Sequence, residues 1–559
     1  MKILLVYPGF IDRRLDETDV SAVPMGLYYI GALLSENGHQ VRLLNLYSPG
    51  TPADAITAHI EKIRPDMVGF SIVHANRWGG IDMAERVKQI DPAIVTVFGG
   101  VGATFLWRHL LTHFPQIDYV VIGEGEYTFL ALVQALAGGQ KNPGAGIKGL
   151  AFRDGADIIQ TGPPELIDNL DRLPNPAGYF TYQHVAISRG CPRNCTFCGS
   201  PAFWGRRVRF HSADYFVGQL RLLYEKGVRF FYVSDDTFTL RKALVIEVCR
   251  AIIKEIPPIT WAAISRVDLV DEEILYWMRR AGCIQISYGV ESGSSEIREK
   301  LNKGISDEQI RQVFDRTVRL GMMARAYFIY GSPGENEKTI QASIDLIEAI
   351  KPLSVIFYIL TLFPGTALYR DYLKASGQTD DIWLQRREDI PYFETDPGLS
   401  PAAVKRFGQR LRSAFYERLP DFALAHTLTD DPDLAAGHAD FYSRLAMTFT
   451  HGDYAANPHV KDKESLAERL YRQSLLWHPD HRAFLGLGML YQRQGNSRAS
   501  LDILTRGLEF FPDSEPLNLC LGTTFLNLGQ LSRARECFTR FPDSPQARHF
   551  LKECDRLSR

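Results

Sequence analysis

Between residues 1 and 138, short apolar runs at 3–7, 41–45, 67–72, 94–98 and 119–122 alternate with longer stretches whose apolar residues recur at helical spacing. Apolar runs of this length suit strands buried on both faces, and their alternation with amphipathic helices predicts an open parallel sheet of the α/β class. Glycine or polar residues follow four of the strands: Pro8-Gly9, Ser71, Gly99-Gly100 and Gly123-Glu124-Gly125-Glu126. Ligands of open parallel sheets gather at the carboxyl ends of strands, so a molecule with a long polar tail fits this edge, although tight turns alone ask for the same glycines.

The Gly- and Pro-rich stretch 139–182 predicts a small hairpin around Gly155 and a linker ending in Leu173-Pro174-Asn175-Pro176. A second βα series follows, with strands at 184–188, 229–234, 259–264, 284–288, 324–330 and 354–360. Six such units predict a complete or partial barrel over 183–370, with its active face at the strand C-termini. Residues 371–460 read as a helical connector without a chemical signature. In the all-α stretch 461–559, Leu487, Gly488, Tyr491 and Gly495 are echoed 34 residues later by Leu521, Gly522, Phe525 and Gly529, and Pro512 closes the first unit. A partial unit with Ala467, Tyr471 and Pro479 precedes them. The register resembles the tetratricopeptide repeat, and so few units serve either as a docking surface for a protein partner or as a cap packed on the barrel.

The chain has 559 residues, 45% hydrophobic and 23% charged, which is enough for three or four domains with full cores. A formal net charge of -2 excludes a global basic field for nucleic acid. No apolar run reaches the roughly 18 residues of a membrane span, and the start is too short for a secretory segment, so the expected location is the cytoplasm. Of the eight cysteines, Cys249, Cys283, Cys520, Cys537 and Cys554 read as buried thiols. Gly99-Gly100-Val101-Gly102 misses the dinucleotide-loop spacing, which removes NAD. Arg206, Arg207 and Arg209, beside Phe203 and Trp204, read as a solvated turn or a contact for an anionic substrate.

Cys191, Cys195 and Cys198 share one loop as Cys-x3-Cys-x2-Cys, and the next cysteine is Cys249. Three thiolates leave one iron of an iron-sulfur cube open, whereas a structural zinc takes four ligands. His184 and His211 are the histidines on hand for zinc, outside finger-like spacing. Gly190 and Gly199 flank the loop and let it wrap a cluster.

The run Cys191-Pro192-Arg193-Asn194-Cys195-Thr196-Phe197-Cys198 resembles the signature of the radical S-adenosylmethionine (SAM) enzymes. Ser234-Asp235-Asp236-Thr237-Phe238, Ser265-Arg266-Val267-Asp268, Gly289-Val290-Glu291-Ser292-Gly293, Gly331-Ser332-Pro333-Gly334-Glu335 and Phe363-Pro364-Gly365-Thr366 are similar to segments of its cobalamin-binding subgroup. The resemblance covers roughly residues 1–370. It implies a flavodoxin-like, Rossmann-type cobalamin domain over 1–138 and a partial (β/α)6 radical SAM barrel over 183–370. It further implies a [4Fe-4S] cluster on Cys191, Cys195 and Cys198 whose open iron holds S-adenosylmethionine for cleavage to a 5'-deoxyadenosyl radical. Asp236 is expected at the methionyl amino group, Arg266 at the carboxylate, Glu291 at the ribose and Phe197 beside adenine, with Ser292 a further contact to S-adenosylmethionine. The plainer alternatives are a helix cap for Asp236, an Arg266–Asp268 pair and a core position for Phe197.

Ser71-x-Val73 and Gly99-Gly100 resemble the elements that house the nucleotide tail of cobalamin, with Glu124 a further expected contact. Ser21-Ala22-Val23-Pro24-Met25-Gly26 stands where an Asp-x-His-x-x-Gly motif would supply a histidine to cobalt. The cobalt then has no histidine beneath it, or the domain has lost its ligand. His74 is the nearby imidazole and reads as a satisfied surface histidine. The implied reaction is methylation of an unactivated carbon through methylcobalamin. The rivals are a cobalamin-dependent radical cyclase or rearrangement enzyme and, in another class, a cobalamin-sensing or partner-recruiting binding protein. Expected partners are a small-molecule or peptide substrate and an electron donor such as flavodoxin or ferredoxin.

Overall fold

The first apolar run forms strand β1 (Lys2–Tyr7), buried from Ile3 onward. The computed structural model describes residues 1–10, 25–46, 51–140 and 143–558; Ser21 to Pro24, part of the segment weighed above for a missing cobalt ligand, lie outside them. Strands β2 (Gln40–Asn45), β3 (Met67–Ser71), β4 (Val95–Gly99) and β5 (Tyr119–Val121) join β1 in parallel, in the order β2-β1-β3-β4-β5. In this flavodoxin-type order the chain reverses between β1 and β3, which opens a crevice at the carboxyl ends of the strands. One face packs around Leu4, Phe70 and Phe98, the other around Ile3, Leu5 and Val97.

The expected hairpin is β6 (Leu150–Asp154) and β7 (Asp157–Gln160), turning at Gly155 with φ 60°. It adds two antiparallel strands to the edge at β5, a pairing that no pattern in the chain announces.

The second series begins at β8 (His184–Val185), β9 (Ser188–Arg189) and β10 (Arg209–Phe210). It continues through β11 (Phe230–Val233), β12 (Thr260–Ser265), β13 (Cys283–Glu291), β14 (Met323–Tyr330) and β15 (Ser354–Ile359). Six strands pair in parallel as β8-β11-β12-β13-β14-β15, a partial barrel without a β15–β8 pairing among the described residues. The strand expected at 184–188 is broken in two. The Asp235 carboxylate accepts hydrogen bonds from the Ile187 and Ser188 amides, at 3.1 and 2.7 Å. Ser188 and Arg189 then leave the barrel to pair antiparallel with β10.

After β15 the chain returns to the first sheet: Leu362, Tyr369, Trp383 and Ile390 pack in the same cluster as Phe70 and Phe98. Eight α-helices then fill 401–557, from Pro401–Leu424 to Pro545–Leu557. From Lys463–Trp477 onward each helix packs on its predecessor. A Cβ at Gly488 would lie 2.5 Å from Leu504, and one at Gly522 2.5 Å from Phe538, so these glycines permit the close approach. The barrel core runs without a break through Phe415 and Leu470 to Tyr491, while the last helices close a separate cluster around Leu517, Phe525 and Phe538. Among the described residues no helix is long and apolar enough to cross a membrane.

Candidate functional site

The carboxyl ends of β1, β3, β4 and β5 face the mouth of the barrel across a cavity of about 720 Å³. Tyr7, Ser71, Gly99 and Gly100 line it from the sheet, Cys198, Ser200 and Asp236 from the barrel, and Phe363 and Pro364 at its edge. Its lining is mostly apolar, with polar groups concentrated at these strand ends. The sheet side is shaped by glycine. Gly100 has φ 87°, and a Cβ there would meet the Ile72 carbonyl oxygen at 2.8 Å and Ser71 Oγ at 3.0 Å. The Ile72 amide donates to Gly99 O (2.9 Å) and the Gly102 amide to Ile72 O (3.0 Å). The helix Gly100–His113 therefore sits directly on the tip of β3 and leaves an open cradle along that edge.

On the barrel side, Cys191, Cys195 and Cys198 are free thiols of intermediate burial. Their loop is pinned where it wraps: the Thr196 amide donates to Leu301 O (3.1 Å), Asn302 Nδ2 to Asn194 O (2.7 Å) and the Leu368 amide to Thr196 O (3.0 Å). The histidines considered for zinc are engaged elsewhere: His184 bonds Ser234 Oγ (2.9 Å) and His211 bonds Asp171 (3.0 Å). Burial pushes the Cys198 thiol up to about 11 and the Cys195 thiol upward as well, opposed at Cys195 by Lys303 and Arg266. Bound metal overrides such thiol values by taking the thiolate.

Around these sulfurs the barrel carries several expected residues. Ser200 Oγ donates to Asp236 Oδ2 at 2.5 Å, and burial raises the Asp236 carboxyl above its usual range although the side chain opens on the cavity. Arg266 pairs with Asp268, its Nε 2.9 Å from Oδ1, and donates to Lys303 O at 2.9 Å. Glu291 has φ 68°, rare for a side-chain-bearing residue, and its Oε1 lies 2.6 Å from Lys303 Nζ with both side chains buried. Gly289 makes room for that pair, since a Cβ would fall 2.4 Å from Glu291 Oε1. Phe197 packs against Ile297, Leu301 and Leu360.

Two further expected residues are engaged within the protein, and two expectations, for Arg209 and His74, need correction. The Ser292 Oγ meets Ser343 Oγ (3.4 Å) and accepts from the Ser294 amide (3.1 Å), deep between β13 and the helix Glu337–Ile350. Glu124, expected at cobalamin, lines the cavity with its carboxylate engaged within the protein. Its side chain is 0% exposed and ion-paired to Arg189 and to Arg209 (2.6 Å), and it accepts the Ile167 amide (2.7 Å). Arg209 is accordingly buried rather than part of a solvated turn. Arg189 also pairs with Glu126 (2.7 Å) and lies over the rings of Tyr29 and Trp204, so these charges clamp the tip of β5 to β9 and β10. Finally, His74 is not a surface histidine. It is 5% exposed, stacked among Phe363, Phe105 and Trp383, and neither ring nitrogen makes a hydrogen bond of normal geometry. Burial, with Arg77 adding to it, pushes its imidazole down to about 3. The sequence passed over Lys303 and the Arg189 clamp, whose members are charged residues far apart in the chain with no spacing to link them.

Residues 185–347 match the radical SAM superfamily and residues 15–133 the B12 binding domain. The chain is 32% identical over 381 residues to "Uncharacterized methyltransferase PH0819" of Pyrococcus horikoshii, covering 66% of this chain and 82% of that protein. It is 27% identical over 390 residues to the anaerobic magnesium-protoporphyrin IX monomethyl ester cyclase of Rubrivivax gelatinosus, covering 66% and 70%. The fold is shared with the radical SAM methyltransferase TsrM of Kitasatospora setae, at 18% identity and a TM-score of 0.61 over 84% of this chain and 99% of that one. This chain belongs to the radical SAM superfamily, in the group that also carries a B12 binding domain. It is an enzyme, and its cofactors are a [4Fe-4S] cluster, S-adenosylmethionine and cobalamin. The three free, part-exposed thiols on one loop and the glycine cradle across the cavity fit those groups.

Proposed function

We propose that this protein transfers a methyl group to an unactivated carbon held between its two α/β units. One observation carries the reading: Ser71, Gly99 and Gly100 line the same cavity as Cys198 and Asp236, so groups held on either side meet in one mostly apolar space. When bound, the cluster and S-adenosylmethionine supply a carbon-centred radical, and cobalamin supplies the methyl group.

The protein's own residues hold and orient. Cys191, Cys195 and Cys198 ligate the cluster at three corners. Asp236, set by Ser200, receives the methionyl ammonium, whose charge returns the stabilisation that burial removed from the carboxylate. Arg266 is pre-oriented by Asp268 and presents its guanidinium to the methionyl carboxylate. Glu291 is held ready for the ribose hydroxyls by Lys303, in a backbone conformation of the strained kind that persists at ligand sites. Phe197 supports the adenine. The mostly apolar lining favours a substrate that presents carbon rather than charge to the reaction.

The division follows the chain: cobalamin unit 1–138, hairpin and linker 139–182, barrel 183–370, helical connector 371–460 and tetratricopeptide-like helices 461–559. The last of these offer a surface to a protein partner, and the intact thiols suit a reducing cytoplasm. The cluster's electron comes from a donor such as flavodoxin or ferredoxin.

Anaerobic reconstitution followed by incubation with methyl-labelled S-adenosylmethionine tests the reading. It predicts both S-adenosylhomocysteine and 5'-deoxyadenosine, with Cys195→Ala losing iron and 5'-deoxyadenosine together. Formation of 5'-deoxyadenosine alone, with no label passed to cobalamin or substrate, would overturn methyl transfer in favour of the cyclase or rearrangement reading that the Rubrivivax relative suggests.

A further inference from the structure

Behind the cavity, His109 and His113 lie one turn apart on the helix Gly100–His113, and Asp381 reaches the same point from the turn Asp380–Leu384. One ligand atom of each lies within 4.8 Å of the other two. Asp381 Oδ1 is 3.0 Å from His113 Nε2 and 3.7 Å from His109 Nδ1. His109 is the telling member. Its side chain is 3% exposed, and its Nδ1 is buried without a hydrogen-bond partner, a state that folded proteins seldom leave unexplained.

A cation about 2.1 Å from each donor sets neighbouring donors about 3.0–3.5 Å apart, from octahedral to tetrahedral angles. The two measured separations bracket that span. A hydrogen bond accounts for the His113–Asp381 contact alone and leaves His109 Nδ1 unused, whereas a cation uses all three atoms. Two imidazoles and one carboxylate suit a borderline divalent ion, with water in the remaining position. The buried guanidinium of Arg77 opposes a cation here, but Glu388 and Asp389 beside it offset that charge.

We propose that His109, His113 and Asp381 form a zinc site that fastens the chain leaving the barrel to the cobalamin unit. The strap is well placed for this. Its Trp383 is fully buried against the first sheet beside His74, and the helix it would be tied to starts at the Gly99–Gly100 turn. The site is independent of the reaction catalysed in the cavity.

The test uses tag-free holoenzyme with the cluster in place, so that the three cysteines are occupied, treated with chelator and then dialysed against zinc chloride. The expected result is about one zinc per chain by elemental analysis. His113→Ala and Asp381→Ala, both at accessible positions, should weaken zinc binding by about tenfold or more while iron and cobalamin contents stay unchanged. Zinc should raise the Tm of the wild type and not of the variants, and cobalt(II) should give visible d–d bands only in the wild type. Absence of zinc from the wild type, or equal binding by all three proteins, overturns the proposal. So does a Tm lowered in the variants but indifferent to zinc in the wild type, since a plain hydrogen-bonded cluster would behave in that way.

Discussion

Replacing Arg189 by Met should strand a carboxylate at the junction of sheet and barrel. The guanidinium serves Glu124 and Glu126, whose side chains are 0% and 5% exposed. Glu124 keeps Arg209 at 2.6 Å, whereas Glu126 has no other ion pair among the described residues. Removing one partner of a buried pair costs about 3–5 kcal/mol, and with one carboxylate stranded the lower figure applies, ~3 kcal/mol. That is roughly a hundredfold in the equilibrium between docked and undocked β5 tip. Amide hydrogen exchange reads it directly. The Ile167 amide donates to Glu124 and is exposed when the clamp opens, so peptides covering it and 123–126 should exchange roughly a hundredfold faster in the variant. Adding Glu126→Leu removes the stranded charge and should restore most of the protection, because a buried pair replaced as a unit is close to neutral. Exchange in Arg189→Met within about threefold of wild type, or a double variant looser than the single, would refute the reasoning.

Gly100→Ala forces a left-handed backbone on a side chain, at about 1–2 kcal/mol, and drives its Cβ to 2.8 Å from Ile72 O. Cobalamin retained through gel filtration should drop severalfold, while Gly218→Ala, with open space around it, serves as the control; equal retention would remove the cradle from the argument. His74 predicts an acid limb. Its folded value is depressed to about 3 against about 6.5 unfolded, so the unfolded chain takes up the proton first. Stability is complete above about pH 6.5 and falls as pH drops toward 3, by up to about 1.4 kcal/mol per unit. His74→Phe keeps the aromatic packing and should flatten that slope in urea titrations of cobalamin-free protein; an unchanged slope would show that other groups set it.

The strands were legible because their apolar runs are continuous, and parallel strands covered on both faces have no other pattern to show. Their carboxyl ends, and with them Ser71, Gly99, Cys198 and Asp236, could be placed on facing rims before any coordinates. What the sequence hid was contact between residues that no local rule connects. Ser292 looks like part of a ligand motif, yet its hydroxyl serves Ser343 on a neighbouring helix. The break of the first barrel strand depends on Asp235, which draws away amides that a strand would have paired. His74 could not be told from a surface histidine, because Phe363 and Trp383, which bury it, arrive from the far side of the barrel.

The unbroken core from the barrel to Tyr491 sets a boundary for anyone cutting or grafting this protein. Trimming it soon after β15 would bare the greasy underside of β14 and β15, where Phe407, Leu411 and Phe415 now lie, and invite precipitation. The terminal helices beyond Tyr491 close a cluster of their own around Leu517, Phe525 and Phe538, so a cut there leaves the barrel's interior covered.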